Sequence, residues 1–236
     1  MRDAAILPFM ASHGWLAVTP PVFRDQVLSR CILRNAEKGQ RLFGRGDPPG
    51  GLWALVSGTV AIEVESGQET FLGHFAGPGY WIGAGPTITG QDRSVGVVAT
   101  RASRLLLLPS ASFREIAAVD PEAWRWLAVL PMMQSLLAMG VAQDLMIRRP
   151  RDRLIAILLR LAACRGPFAK ADPEVITSTQ DEIAAMANLS RTATGKILRE
   201  LEAIGCLSIG YRSICIEPHS LSKQLEEQPA VSRQAV

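Results

Sequence analysis

Arg191, Thr192, Gly195, Lys196 and Arg199 recur along the run 190–204. At about 100° per residue they fall within an arc of roughly 140° on one side of a helix. The chemistry available to such a face is recognition of nucleic-acid edges. Arginine forks onto O6 and N7 of guanine, threonine meets a thymine methyl, and lysine reaches guanine or phosphate. A glycine in the same arc permits close approach. Ala193, Ile197, Leu198, Leu201 and Ile204 fall on the other side, spaced for burial. A surface helix with a solvated charged face would show the same division, so the neighbouring elements must decide between the two.

Those elements favour DNA reading. Thr179-x-x-Glu182 is a capping box, in which a hydroxyl accepts from a free backbone N–H and a carboxylate reaches back to the cap. It opens a short helix whose small apolar face is Ile183, Ala184 and Ala187. Asn188-Leu189-Ser190 breaks that helix, and Ser190 is a suitable N-cap for the next. Beyond it, Leu207/Ile209 and Ile214/Ile216 alternate around Gly210-Tyr211-Arg212-Ser213, the signature of a hairpin. Two helices, a tight turn and a hairpin predict a winged helix with Arg212 at the wing tip. The expected DNA-contacting set is Thr179, Gln180, Ser190, Arg191, Thr192, Gly195, Lys196, Arg199 and Arg212.

Composition limits the alternatives. The chain has 236 residues and a net charge of +3. Residues 1–150 carry 14 basic and 12 acidic groups, and residues 151–236 carry 11 and 10. Without a polybasic field, DNA affinity must come from a placed patch. The four cysteines, Cys31, Cys164, Cys206 and Cys215, form no C-x-x-C pair. This predicts neither a disulfide framework nor a metal cluster, and it fits a reducing cytoplasm. Asp3 and Pro8 spoil the mildly apolar N-terminus as a signal peptide.

Residues 15–34 read as a helix, with Leu16, Phe23, Val27, Leu28 and Cys31 at helical spacing. A turn-rich stretch from Glu37 leads to two strands within 52–64 around Ser57-Gly58. Further short apolar runs follow at 70–75, 80–82, 95–99 and 105–108, predicting an antiparallel sandwich or roll. Ser112-x-x-Glu115 is a second capping box before Asp120-Pro121, which in turn cap and start a long helix. On that helix Leu127, Leu130, Gln134, Leu137 and Val141 form an a/d seam expected at a dimer interface. Met132, Leu136 and Met139 form a second apolar stripe. Residues 126–143 carry no charge, which raises a membrane-tethered sensor as an alternative. Pro131, Gln134, Ser135, Gly140 and Gln143 interrupt the run and favour a buried helix, so no membrane is expected. A helix over 151–163 is expected to pack the C-terminal core with Leu154, Ile155, Ile157, Leu158 and Leu161, and the stretch from Lys223 reads as frayed.

This order of elements resembles the CRP/FNR superfamily of bacterial transcription regulators. The likeness rests on Gly39, Leu42-Phe43, Gly46-Asp47, Leu55-Val56-Ser57-Gly58, Arg93-Ser94, and Ser190-Arg191 with Gly195-Lys196-Ile197-Leu198. It implies an α+β chain in three parts. These are an N-terminal helix and antiparallel β-roll or jelly-roll effector-type domain (1–120), a dimerisation helix and hinge (121–149), and a C-terminal winged helix-turn-helix domain (150–236). It further implies a homodimer on a palindromic, double-stranded DNA operator, with RNA polymerase as a further partner. Effector-binding positions implied by the resemblance are Gly83, Arg93, Ser94, Ala138 and Met139. Ala84 stands where cyclic-AMP-responsive relatives have a glutamate, and Ala138 and Met139 replace hydroxyl residues that meet adenine. Three lost hydrogen bonds, each worth about 1 kcal/mol or more, predict that cyclic AMP is not bound in the usual way. No cofactor or metal is expected, and the effector is left open. The family triplet of Arg, Glu and Arg becomes Arg191, Thr192 and Lys196, which predicts an altered half-site. A cupin-like enzyme is the remaining alternative, but nothing near His74 supplies the H-x-H and glutamate that a metal would need.

Overall fold

The computed structural model of the chain describes residues 5–66, 69–166, 173, 175–210 and 213–226. It divides into two compact units, Met1–Gln134 and Ser135–Val236. The division falls inside the long helix rather than at 120 and 150.

In the first unit, α1 (Ile6–Ser12), a 3₁₀ turn (Gly14–Val18) and α2 (Pro21–Ser29) precede the strands. The single helix expected over 15–34 is therefore interrupted. Pro20 and Pro21 stop one helix and start the next, and residues 32–36 have already become a strand. Strands β1 (Ile32–Ala36), β2 (Arg41–Phe43), β3 (Gly51–Ser57), β4 (Val60–Ser66), β5 (Glu69–Ala76) and β6 (Trp81–Ile82) follow in turn. After α3 (Ala84–Thr89) come β7 (Gly96–Ala99) and β8 (Ser103–Pro109). They form two antiparallel four-stranded sheets, ordered β1-β8-β3-β6 and β2-β7-β4-β5.

The period of two along the strands explains the layering. Leu55 and Leu105 turn between the sheets, where they meet Phe43, Val60, Ile62, Val97 and Ala99. Leu52, Ala54, Leu106 and Leu108 turn to the other face, where Met10, Trp15, Phe23 and the following helices cover them. Trp15 stands edge-on to Trp81, with centroids 5.3 Å apart, and its indole N–H donates to the carbonyl of Trp126 at 2.7 Å.

Helix α4 (Ser110–Val119) starts behind Pro109 with no side-chain cap, so Ser112 lies inside it and its expected capping box does not form. Asp120 accepts from the backbone N–H of Glu122 at 3.1 Å, but Pro121 and Glu122 make a turn, and α5 begins at Ala123 and runs to Leu145.

The second unit holds the end of α5 and then α6 (Pro150–Leu161), α7 (Gln180–Met186) and α8 (Arg191–Ala203). A hairpin of β9 (Leu207–Gly210) and β10 (Ser213–Ile216) and a last helix, α9 (Pro218–Glu226), complete it. Leu154, Ile155, Ile157 and Leu158 form its core with Ile183, Leu198, Leu201 and Ile214, while Leu161 is only partly buried. The frayed end expected from Lys223 is helical as far as Glu226, because Leu221 inserts fully into this core.

Candidate nucleic-acid interface

Local hydrogen bonds fix the helix-turn-helix at each joint. Thr179 Oγ1 accepts from the N–H of Glu182 at 3.2 Å, and the Glu182 carboxylate accepts from the N–H of Thr179 at 2.7 Å. At the other end of α7, Asn188 takes a left-handed backbone with φ of 49°. The N–H of Leu189 then donates to the carbonyl of Ala184, and that of Asn188 to Ala185, closing the helix with a Schellman pair. Ser190 Oγ accepts from the N–H of Ala193 at 3.1 Å and opens α8. Arg153 on α6 donates to the carbonyls of Ala187 (2.7 Å), Ile147 (2.9 Å) and Asn188 (3.3 Å), so the turn is also held from beneath. Glu202 accepts from the N–H of Ile209 at 2.8 Å, tying the end of α8 to the hairpin.

On this frame Arg191, Thr192, Lys196 and Arg199 are all exposed on α8. Thr179 and Gln180 are half-buried, and Ser190 is exposed at its cap. A cleft of about 360 Å³ lies between residues 178–181, Arg191 and the hairpin residues Ile209, Gly210, Ser213 and Ile214. Arg212 lies outside the described residues.

Two expectations on α8 need correction. Gly195 is buried rather than open to a groove, covered by the side chain of Gln180, whose Oε1 would lie 3.3 Å from a Cβ placed there. Ile204 is 55% exposed because the helix ends at Ala203 and the chain turns away. One residue was missed altogether. Asp181 Oδ2 lies 3.2 Å from Arg191 Nη1, an ion pair that joins the starts of the two helices. Ten residues apart across a turn, the two share no periodicity that would have signalled the contact.

The effector-type positions look different. Arg93 is only 4% exposed. Its Nη2 donates to the carbonyl of Gly51 at 3.1 Å, and its guanidinium lies 3.8 Å over the ring of Phe43. Burial pushes its pKa down, and the charge of Asp47 partly offsets this. Gly83 has φ of 108°, and a Cβ there would meet the Gly51 carbonyl at 2.5 Å and Arg93 Nη1 at 3.2 Å. Ala84 is buried at the start of α3, whereas Ser94 is exposed. Ala138 and Met139 are exposed, in the second unit.

The expected dimer seam also needs correction. Leu127 and Leu130 are buried in the core of their own unit, and Gln134 donates to the carbonyl of Trp81 at 2.7 Å and to the hydroxyl of Tyr80 at 3.3 Å. Leu137 and Val141 are half-buried. The face of α5 left open carries Ala128, Met132, Ser135, Met139 and Ala142 and continues to Met146, spaced alternately by four and three residues. By length and composition α5 is also apolar enough to cross a membrane, although Leu127 and Leu130 spend part of that apolarity on the β-roll. Near its end, fully buried Asp144 pairs with Arg160 at 2.7 Å and Arg165 at 2.9 Å.

Comparison with known proteins agrees with this architecture. Residues 33–120 match the model of the cyclic nucleotide-binding domain, and residues 152–223 match that of the Crp-like helix-turn-helix domain. The chain is 26% identical over 187 residues to the CRP-like protein Clp of Xanthomonas campestris pv. campestris, covering 74% of this chain and 79% of that protein. It is 24% identical over 199 residues to the cAMP-activated global transcriptional regulator Vfr of Pseudomonas aeruginosa, covering 81% and 92%. In fold it is similar to FixK2 from Bradyrhizobium japonicum, with a TM-score of 0.70 at 19% identity over 85% of this chain and 99% of that one. It is also similar to the c-di-GMP responsive regulator CLP of Xanthomonas campestris, with a TM-score of 0.60 at 22% identity over 84% and 99%.

Proposed function

Because the chain belongs to the CRP/FNR family of transcription regulators, we propose that it binds a two-fold-symmetric DNA operator as a homodimer, with no need for cyclic AMP. DNA binding through the helix-turn-helix follows from the family. The finer reading rests on one observation: α8 presents Arg191, Thr192, Lys196 and Arg199 together, outward and next to the hairpin. Arg191 would fork onto guanine, and Thr192 would meet a base edge less selectively than a carboxylate would.

The dimer would form along the open face of α5, where Met132 and Met139 alternate with Ala128, Ser135 and Ala142. Small residues let two such helices approach, and methionines fill the gaps between them. Half-sites would then lie about one helical turn apart.

One relative, Vfr, is described as cAMP-activated and one structural neighbour, CLP, as c-di-GMP responsive, so family membership does not fix an effector. Arg93 donates from Nη2 to Gly51 and stacks on Phe43, with Nη1 left as a buried donor without a partner among the described residues, and Ala84 offers no hydroxyl-binding carboxylate. The missing carboxylate supports a regulator that works without cyclic AMP. As a DNA-binding regulator it would act in the cytoplasm, with RNA polymerase as its further partner.

Selection of bound duplexes from a random pool, using purified protein and no added nucleotide, tests this. Enrichment of an inverted repeat is expected. Enrichment only after cyclic AMP is added would overturn the effector reading, and a motif without symmetry would overturn the dimer.

A further inference from the structure

Asp181 is an acidic residue on a face that must approach phosphate. Its backbone is fixed by the capping box of α7, and Arg191 is fixed as the first residue of α8 by the Ser190 cap. The carboxylate meets Nη1 of Arg191 at 3.2 Å, with the two side chains 62% and 72% exposed. So exposed a pair contributes little to folding. A carboxylate there also opposes DNA affinity, since phosphate contacts dominate binding. Its use must lie elsewhere. A carboxylate on Nη1 leaves the Nε–Nη2 edge of the guanidinium free, and that edge can fork onto O6 and N7 of guanine.

We propose that Asp181 is a positioning residue for DNA reading: it holds Nη1 of Arg191, aims the remaining edge at guanine, and so sets base discrimination at the position Arg191 meets. This rests on the reading that α8 enters the major groove.

The test uses the full-length protein and two duplexes, the selected motif and the same motif with that guanine changed to adenine in both half-sites. The ratio of the two Kd values is measured for wild type, Arg191→Ala, Asp181→Ala and the double variant. A ratio cancels any loss of folded protein, which a purely structural role would cause. Arg191→Ala should abolish discrimination. Asp181→Ala should lower it about tenfold, within the span of one bidentate base contact. The double variant should match Arg191→Ala alone. Wild-type discrimination in Asp181→Ala would overturn the proposal. That holds whether affinity for both duplexes is unchanged, as for an idle surface pair, or raised equally, as for a carboxylate that only repels phosphate. If Arg191→Ala itself leaves the ratio intact, the parent reading of α8 fails, and this proposal fails with it by a separately visible result.

Discussion

Arg93 in the β-roll and Arg191 at the start of α8 are both arginines with an expected ligand, an effector by family resemblance for the first and a guanine edge for the second, and the fold uses them in opposite ways. Arg93 is buried, stacked on Phe43 and bonded to the carbonyl of Gly51. Arg191 is open to solvent and pairs with the likewise open Asp181. A guanidinium that has exchanged water for a ring face and a carbonyl packs with the core, although Nη1 of Arg93 is left there without a partner among the described residues, and one that keeps its water is free to meet a ligand. The residue type announces a donor for a ligand, but burial decides how far the protein keeps the group for itself. The same division runs along α5, whose Leu127 and Leu130 face inward while Met132 and Met139, 61% and 55% exposed, face out.

The contrast breaks most visibly at Arg93. Arg93→Ala removes a buried side chain, leaves the Gly51 carbonyl without its donor and opens the space over Phe43. A loss of about 2–4 kcal/mol in denaturant unfolding is expected. Base discrimination by the folded fraction should not change. Loss of DNA selectivity at unchanged stability would show that Arg93 belongs to a signalling site after all. Next in size is the outer face of α5. Met139→Glu places a charge in the middle of the proposed seam, on a side chain its own chain does not bury. Affinity for the full palindrome should fall by about a hundredfold as bivalent binding is lost. Affinity for an isolated half-site should hold, and light scattering should report a monomer. A variant that remains dimeric would move the interface elsewhere. Arg191→Ala should cost about 1–3 kcal/mol in operator binding and change folding stability by no more than about 0.5 kcal/mol. A larger loss of stability would erase the distinction between the two arginines.

How much of this was readable beforehand depended on whether a signal was local. The capping box at Thr179 and Glu182, the Ser190 cap and the β9–β10 hairpin were legible because each is set by residues a few positions apart. The sandwich was legible from its short alternating runs, although β1 and β2 were lost within a helical spacing and a turn-rich stretch. Which face of α5 meets the β-roll was not legible. Two apolar stripes are equivalent in a helical projection, and only the position of Trp81 and Tyr80 singles out the one with Gln134. The Asp181–Arg191 pair and the Arg93–Phe43 stack escaped for the same reason, since both join residues brought together by the fold alone.

Gly195 gives the smallest effect, and its sign separates two roles. Replacing a mid-helix glycine by alanine gains about 1 kcal/mol of helix propensity. Against this stands one contact, 3.3 Å from the new Cβ to Gln180 Oε1. That oxygen ends a flexible side chain at the edge of the cleft, so it can withdraw by a few tenths of an ångström at little cost. Gly195→Ala should therefore stabilise the winged-helix unit by up to about 1 kcal/mol in thermal or denaturant unfolding. Pairing it with Gln180→Ala should recover whatever part of that gain the contact removes. Because Gly195 is buried under Gln180 rather than open to solvent, the discrimination set by Arg191 should persist. A uniform loss of affinity for every duplex, with stability raised as expected, would instead mean that Gln180 moves aside on binding. DNA would then reach the backbone at Gly195, as the sequence alone suggested.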